Sequence, residues 1–196
     1  MRVLSIAIAG AVLWAATVWA GPLHDVSRNG DLKAAAELLD HGADLAEPDS
    51  AGEPPLLLAA LAGRADLVTL YLERGADIKA RNKGGLTALH AAAYGGNLAV
   101  VKLLVEKGAA IDDANNFYKM TPLHAAAEEG HAAIVAFLLA SGANKEAKER
   151  NGITPLSQAG WREYWDAADI LLKAGAVCQD ATIVGAWLNT ECTKRK

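Results

Sequence analysis

Apolar residues run along this chain in short blocks at helical spacing, and glycine closes the blocks. Over residues 31–39 alanines and leucines recur three and four apart, the stripe of an amphipathic helix, and Gly42 supplies the left-handed conformation that ends it. The same pattern predicts helices over 65–74, stopped by Gly75, and over 98–107, stopped by Gly108. Shorter apolar runs with their own start signals alternate with these. In Thr121-Pro122-Leu123-His124-Ala125-Ala126-Ala127, Thr121 can cap free backbone N–H groups, and Pro122 suits the first helical position, which needs no N–H. Leu123, Ala126 and Ala127 then form a narrow apolar face. Close copies are Thr87-Ala88-Leu89-His90-Ala91-Ala92 and Thr154-Pro155-Leu156-Ser157-Gln158-Ala159. Pro54-Pro55-Leu56-Leu57-Leu58-Ala59-Ala60 is a worn copy, and Pro22-Leu23-His24 a vestige.

The copies keep a fixed period. Leu23, Leu56, Leu89, Leu123 and Leu156 are 33, 33, 34 and 33 residues apart. Gly42, Gly75, Gly108, Gly142 and Gly175, each followed by Ala, repeat those spacings. With the Thr-Pro-Leu-His-x-Ala signature, the chain resembles the ankyrin repeat from about residue 22 to 176. The resemblance implies an all-α solenoid of about five helix-turn-helix repeats with projecting loops or β-hairpins and degenerate terminal caps. Their approximate bounds are 21–48, 49–81, 82–115, 116–148 and 149–181. It also implies that His90 and His124 hydrogen-bond within and between repeats, with the signature Thr hydroxyl (Thr87, Thr121) as one partner; Thr154 holds the same motif position in the fifth repeat. A buried polar group without a partner costs ~1–3 kcal/mol.

Departures from the period carry information. Arg28, Lys33 and Glu37 make the first repeat polar, as expected of a cap whose outer face meets water. Leu57 stands at the His position of the second repeat, and Ala88 replaces Pro in the third. The single extra residue falls before Thr121. There Lys119 stands where other repeats carry Gly52, Gly85 and Gly152. A non-Gly residue at positive φ costs energy, so this loop is expected to bulge or to project differently. In the fifth repeat Ser157 replaces His, Gly160 replaces Ala and Glu163 replaces the helix-ending Gly, amid Trp161, Tyr164 and Trp165. Past Gly175 the period is lost. Ile183, Val184, Trp187 and Leu188 are spaced for one face of a short helix, a closing cap over 182–196 that ends in a solvated basic tail.

The chain has 196 residues and a net charge of −4. Residues 1–20 read as a signal peptide: Arg2 is the only charge, 3–19 are uncharged, and Val18-Trp19-Ala20 forms a cleavage site before Gly21. Removing Arg2 with the leader takes the net charge to −5. Retained, the apolar run nearly reaches the ~20 residues that span a bilayer, and the protein becomes a membrane-tethered adaptor. An acidic chain without a basic stripe argues against nucleic acid. Cys178 and Cys192 form an even count, which in an exported chain points to a disulfide contributing ~3 kcal/mol. Two separate buried thiols are the alternative. Export to a periplasm or to the outside is expected from the leader. The absence of an Asn-x-Ser/Thr acceptor favours a bacterial periplasm.

Catalytic chemistry finds little support. No histidine pair has metal-ligand spacing, no Gly-rich phosphate loop or nucleophile elbow occurs, and the cysteines lack redox Cys-x-x-Cys spacing. Glu128-Glu129 and Asp112-Asp113 are adjacent carboxylates that diverge by ~100° on a helix, so they read as solvated charge rather than as an acid/base pair. The chain is therefore expected to be no enzyme, to need no cofactor or metal, and to be a monomer that binds another protein. Stacks of this family bind through their concave side, which the resemblance carries over to this chain. The varying positions before each helix-ending site give a ladder of Arg28, Leu61, Tyr94, Glu128 and Trp161, with Arg162 beside it. Tyr, Trp and Arg are the residue types that dominate interfaces. Phe117, Tyr118 and Met120 add apolar bulk at one loop tip. An inhibitor or immunity protein for an exported hydrolase is a second functional class with the same surface.

Overall fold

The computed structural model describes residues 20–196; the expected leader lies, but for its last residue, outside the described residues. Twelve helices are present among these residues, and no strand. One layer holds the first helix of each repeat: α1 (Ala20–Asn29), α3 (Pro55–Leu61), α5 (Ala88–Tyr94), α7 (Pro122–Glu128) and α9 (Pro155–Trp161). The second layer holds α2 (Leu32–Asp40), α4 (Ala65–Glu73), α6 (Leu98–Glu106), α8 (Ala132–Ala140) and α10 (Trp165–Lys173). Each helix packs on its counterpart in the adjacent repeat and on its own partner, so the molecule is the expected solenoid. The leucines at the repeat period, Leu23 to Leu156, are buried and join one continuous core. The small Ala59, Ala92, Ala126 and Ala159 let the first helices approach closely.

Two polar details interrupt that regularity. Tyr71 occupies an outer-layer position that is Leu38, Leu104, Leu138 or Leu171 in other repeats, and it is fully buried. Its hydroxyl meets Ser27 Oγ at 2.8 Å, where the later repeats carry Ala60, Ala93, Ala127 and Gly160. Burial pushes the Tyr71 phenol up from its usual range. The second detail is the glycine between the two helices of a repeat. A Cβ on Gly130 would lie 2.5 Å from the Tyr164 ring, and one on Gly96 would lie 2.6 Å from His131. A side chain of the following repeat thus covers each glycine. In the fifth repeat no further repeat follows, and Glu163 holds the same left-handed conformation, at φ 61°.

The projecting segments are loops rather than β-hairpins. Asp49, Asn82, Asn116 and Glu149 each accept backbone N–H bonds from two and four residues ahead, which folds every tip into the same tight turn. The tips join through Phe117 N–H to Gly84 O (2.9 Å) and Arg150 N–H to Tyr118 O (2.7 Å). Lys119 corrects the expectation of a divergent fourth loop. It adopts the left-handed conformation of its glycine counterparts (φ 55°), and its turn keeps the common pattern.

The closing cap differs from the expected single helix. Gly185, at φ 86°, breaks it into α11 (Ala181–Val184) and α12 (Ala186–Arg195). The break rotates the two halves, so Val184 and Leu188 are buried while Ile183 and Trp187 face solvent. Gly160 admits Leu188: a Cβ there would sit 2.5 Å from a Leu188 methyl. Cys178 and Cys192 are joined in a disulfide. The basic tail is exposed as expected, although Arg195 pairs with Asp169 (3.2 Å) and stacks on Trp165.

Candidate functional site

The signature residues fix the walls of the solenoid. Thr121 caps α7, its Oγ1 accepting the His124 N–H at 3.4 Å. Thr121 N–H points at His124 Nδ1 (3.2 Å), so this nitrogen is the acceptor. Nε2 then carries the hydrogen, donated to Ile153 O of the next loop at 3.0 Å. His90 repeats the arrangement. Thr87 N–H reaches its Nδ1 at 3.2 Å, and its Nε2 lies 3.0 Å from Asp113 O and 2.9 Å from Met120 O. Each imidazole therefore ties one repeat to the next loop. Burial holds both rings below the usual histidine range, in the neutral form this network needs.

Between the first helices and the loop tips runs a groove of about 680 Å³ across the second to fifth repeats. It brings together Leu61, Tyr94, Tyr118, Met120, Glu128 and Trp161 of the expected ladder and tip. Leu61, Tyr94 and Trp161 are 45–49% exposed, an unusual state for large apolar side chains on one face. Trp161 is also tied to the cap, its indole N–H donating to Val184 O at 3.3 Å. Arg28, Phe117 and Arg162 are not among the groove's lining residues. Arg28 is bound to Asp49 and Asp25. Phe117 stands outward with its edge on Tyr118 and Arg150 stacked 4.5 Å from its centre. Arg162 crosses to Glu128 at 2.7 Å, which half-buries the carboxylate and holds the guanidinium above its usual range. The Glu129 carboxylate beside Tyr94 raises that phenol.

Comparison with protein families decides the architecture. The model described as "Ankyrin repeats (3 copies)" matches residues 56–149 and 112–182, and that described as "Ankyrin repeats (many copies)" matches 23–70. The chain belongs to the ankyrin-repeat family. Comparison with curated proteins finds no match. Ankyrin repeats are protein–protein interaction modules, and the family is in general a non-enzymatic scaffold. Among the described residues no cluster of His, Cys, Asp and Glu is arranged to hold a metal, and no helix is long and apolar enough to cross a membrane.

Ankyrin geometry also corrects the reading of Asp113, while its neighbour Asp112 is exposed as expected. Asp113 is not solvated. Arg81 of the preceding repeat grips it at 2.6 Å and holds its carboxyl below the usual range. Asp112 accepts the Asn144 N–H of the following repeat at 2.8 Å. These carboxylates stitch ankyrin repeats together. Sequence reasoning missed Glu53, Leu86, Glu149 and Ile153 on the groove's loop side. Their signal was present: Glu53, Leu86, Met120 and Ile153 share the repeat period immediately before each first-helix cap.

Proposed function

We propose that this ankyrin-repeat protein grips a partner polypeptide through the groove, with Leu61, Tyr94, Tyr118, Met120 and Trp161 as the apolar contacts. Glu128 lines the same groove, and Arg28, Phe117 and Arg162 flank it. The observation that carries the reading is the half-exposed apolar ladder along a groove open over four repeats. A monomer exposing such a face gains from covering it. In the triple variant Tyr94→Ala, Tyr118→Ala, Trp161→Ala, pull-down from the native compartment is expected to lose the partner while circular dichroism stays helical. Capture by the folded variant would remove this face.

The place of action follows the same reasoning. A leader-like N-terminus and a disulfide that fastens the cap support export to an oxidising compartment, a periplasm or the cell exterior. Counting thiols in the unfolded, unreduced protein should give none. Two free thiols would overturn this assignment, and an N-terminus that still carries residues 1–20 would make the protein the membrane-tethered adaptor instead.

A further inference from the structure

The groove has a sign as well as a shape. Its charged lining residues are Glu53, Glu128 and Glu149, and no Lys or Arg lines it among the described residues. Glu128 is answered by Arg162, but among the described residues the other two meet no cation in an ion pair. Glu53 takes only the Asn82 amide (3.0 Å), and Glu149 takes the N–H groups of its own turn. Three loop cations are engaged elsewhere: Arg150 lies on Phe117, Lys83 on Ser50 O, and Arg81 on Asp113, while Lys119 stands exposed on the tip between Tyr118 and Met120. The raised Tyr94 phenol reports the same negative field at mid-groove, set by Glu129 and Glu128. A carboxylate left without a counter-ion beside an apolar floor attracts a cation that brings its own apolar neighbours.

The groove's length sets the size of the occupant. Four neighbouring first helices at the usual ~10 Å packing distance span roughly 30 Å. Extended polypeptide rises ~3.3 Å per residue, so about nine residues fill that span. We infer that the groove takes an extended segment of about nine residues in which aliphatic or aromatic side chains alternate with at least one Lys or Arg. Apolar side chains seat on Leu61, Tyr94 and Trp161, and the cation meets Glu53 or Glu149. The inference rests on the concave-face reading above and adds the chemistry of the partner.

A phage-displayed library of random dodecapeptides, selected on the immobilised oxidised protein, tests it. Enriched peptides should combine apolar residues with Lys or Arg. As synthetic peptides they should bind several-fold more weakly when NaCl rises from about 0.05 to 0.5 M, because exposed charges are then screened. The double variant Glu53→Gln, Glu149→Gln keeps an oxygen for the Asn82 amide and for both backbone N–H bonds of the Glu149 turn and gives up only the exposed 3.3 Å contact from the Asn151 amide, so its fold and melting temperature should hold. Peptide binding to it should fall about tenfold, the equivalent of ~1.4 kcal/mol. Acidic or uncharged winners, or affinities indifferent to salt and to the double variant, overturn the cationic segment and leave the apolar face standing. Winners that bind Leu61→Ala and Trp161→Ala as well as the parent overturn the face itself. A library that yields no binder overturns the linear segment.

Discussion

The third and fourth repeats and the fifth solve one problem with different residues. In each, the first-helix cap buries a Thr whose N–H needs an acceptor. His90 and His124 supply that acceptor from three residues away and use their second nitrogen to hold the next loop. Ser157 is too short for either task. The Thr154 N–H goes instead to Gln179 Oε1 at 2.9 Å, from beyond the end of α10, while the Gln179 amide donates to Gly152 O at 2.8 Å. Asn189 of the cap then donates to Gln179 O at 2.7 Å. A repeating module can therefore satisfy itself locally only while a successor follows. At the terminus the polar accounts must be settled by whatever closes the stack.

The largest effect should come from emptying these two acceptors. His124→Ala leaves the buried Thr121 N–H without its acceptor, at ~1–3 kcal/mol, and empties the buried volume of a ring, while the Ile153 carbonyl keeps the Glu149 N–H at 3.0 Å, so a loss of about 3 kcal/mol is expected. Gln179→Ala should cost nearly as much, although Gln179 lies outside the repeat signature. Ser157→Ala removes only a weak hydroxyl contact (3.3 Å) and should cost under about 1 kcal/mol. Urea denaturation of the three variants decides it. A Gln179→Ala protein as stable as the parent would break the comparison.

This pairing marks how far the chain could be read before its fold was known. The period placed both helix layers and the ladder of Leu61, Tyr94, Glu128 and Trp161 along the groove's helix side, because identical spacing forces identical stacking. Gln179 was illegible, since its partner stands 25 residues away and follows no period. The Ser27–Tyr71 contact was hidden for the same reason. Gly185 was visible as a residue but not as a break, because the apolar pattern of 183–188 fits one helix equally well. The groove's sign escaped notice because Glu53 and Glu149 look like ordinary loop charges until the loops fold over the floor.

Acid should separate the two regions next. The folded pKa values of His90 and His124 lie below the unfolded value near 6.5, through burial. The unfolded chain therefore binds protons first. Their contribution is complete above about pH 6.5 and is lost as pH falls from there through the depressed folded values. Each ring contributes a slope of at most ~1.4 kcal/mol per pH unit, over the window in which the unfolded histidine is protonated and the folded one is not. Hydrogen exchange at pH 7.5 and 5.5 should show α5 and α7 opening in acid more than α9, whose Ser157–Gln179 slot does not titrate. Denaturation of the double variant His90→Gln, His124→Gln should show a flatter pH profile. Equal acid sensitivity of α9 would place the proton uptake elsewhere.

The smallest effect concerns the left-handed position between the two helices of a repeat. Glu163 carries a strain that glycine escapes, on the order of 1 kcal/mol. Glycine in turn loosens the unfolded chain by ~0.4–1 kcal/mol. Glu163→Gly should therefore stabilise the protein by only a few tenths of a kcal/mol. Gly130→Ala faces the same backbone strain and also drives its Cβ into the Tyr164 ring at 2.5 Å. Moving that ring disturbs the start of α10, so a loss of about 2 kcal/mol is expected. Thermal melts of the two variants compare an uncovered position with a covered one. If Gly130→Ala proved as mild as Glu163→Gly, the covering side chain would not be the reason for glycine, and backbone conformation alone would set the residue.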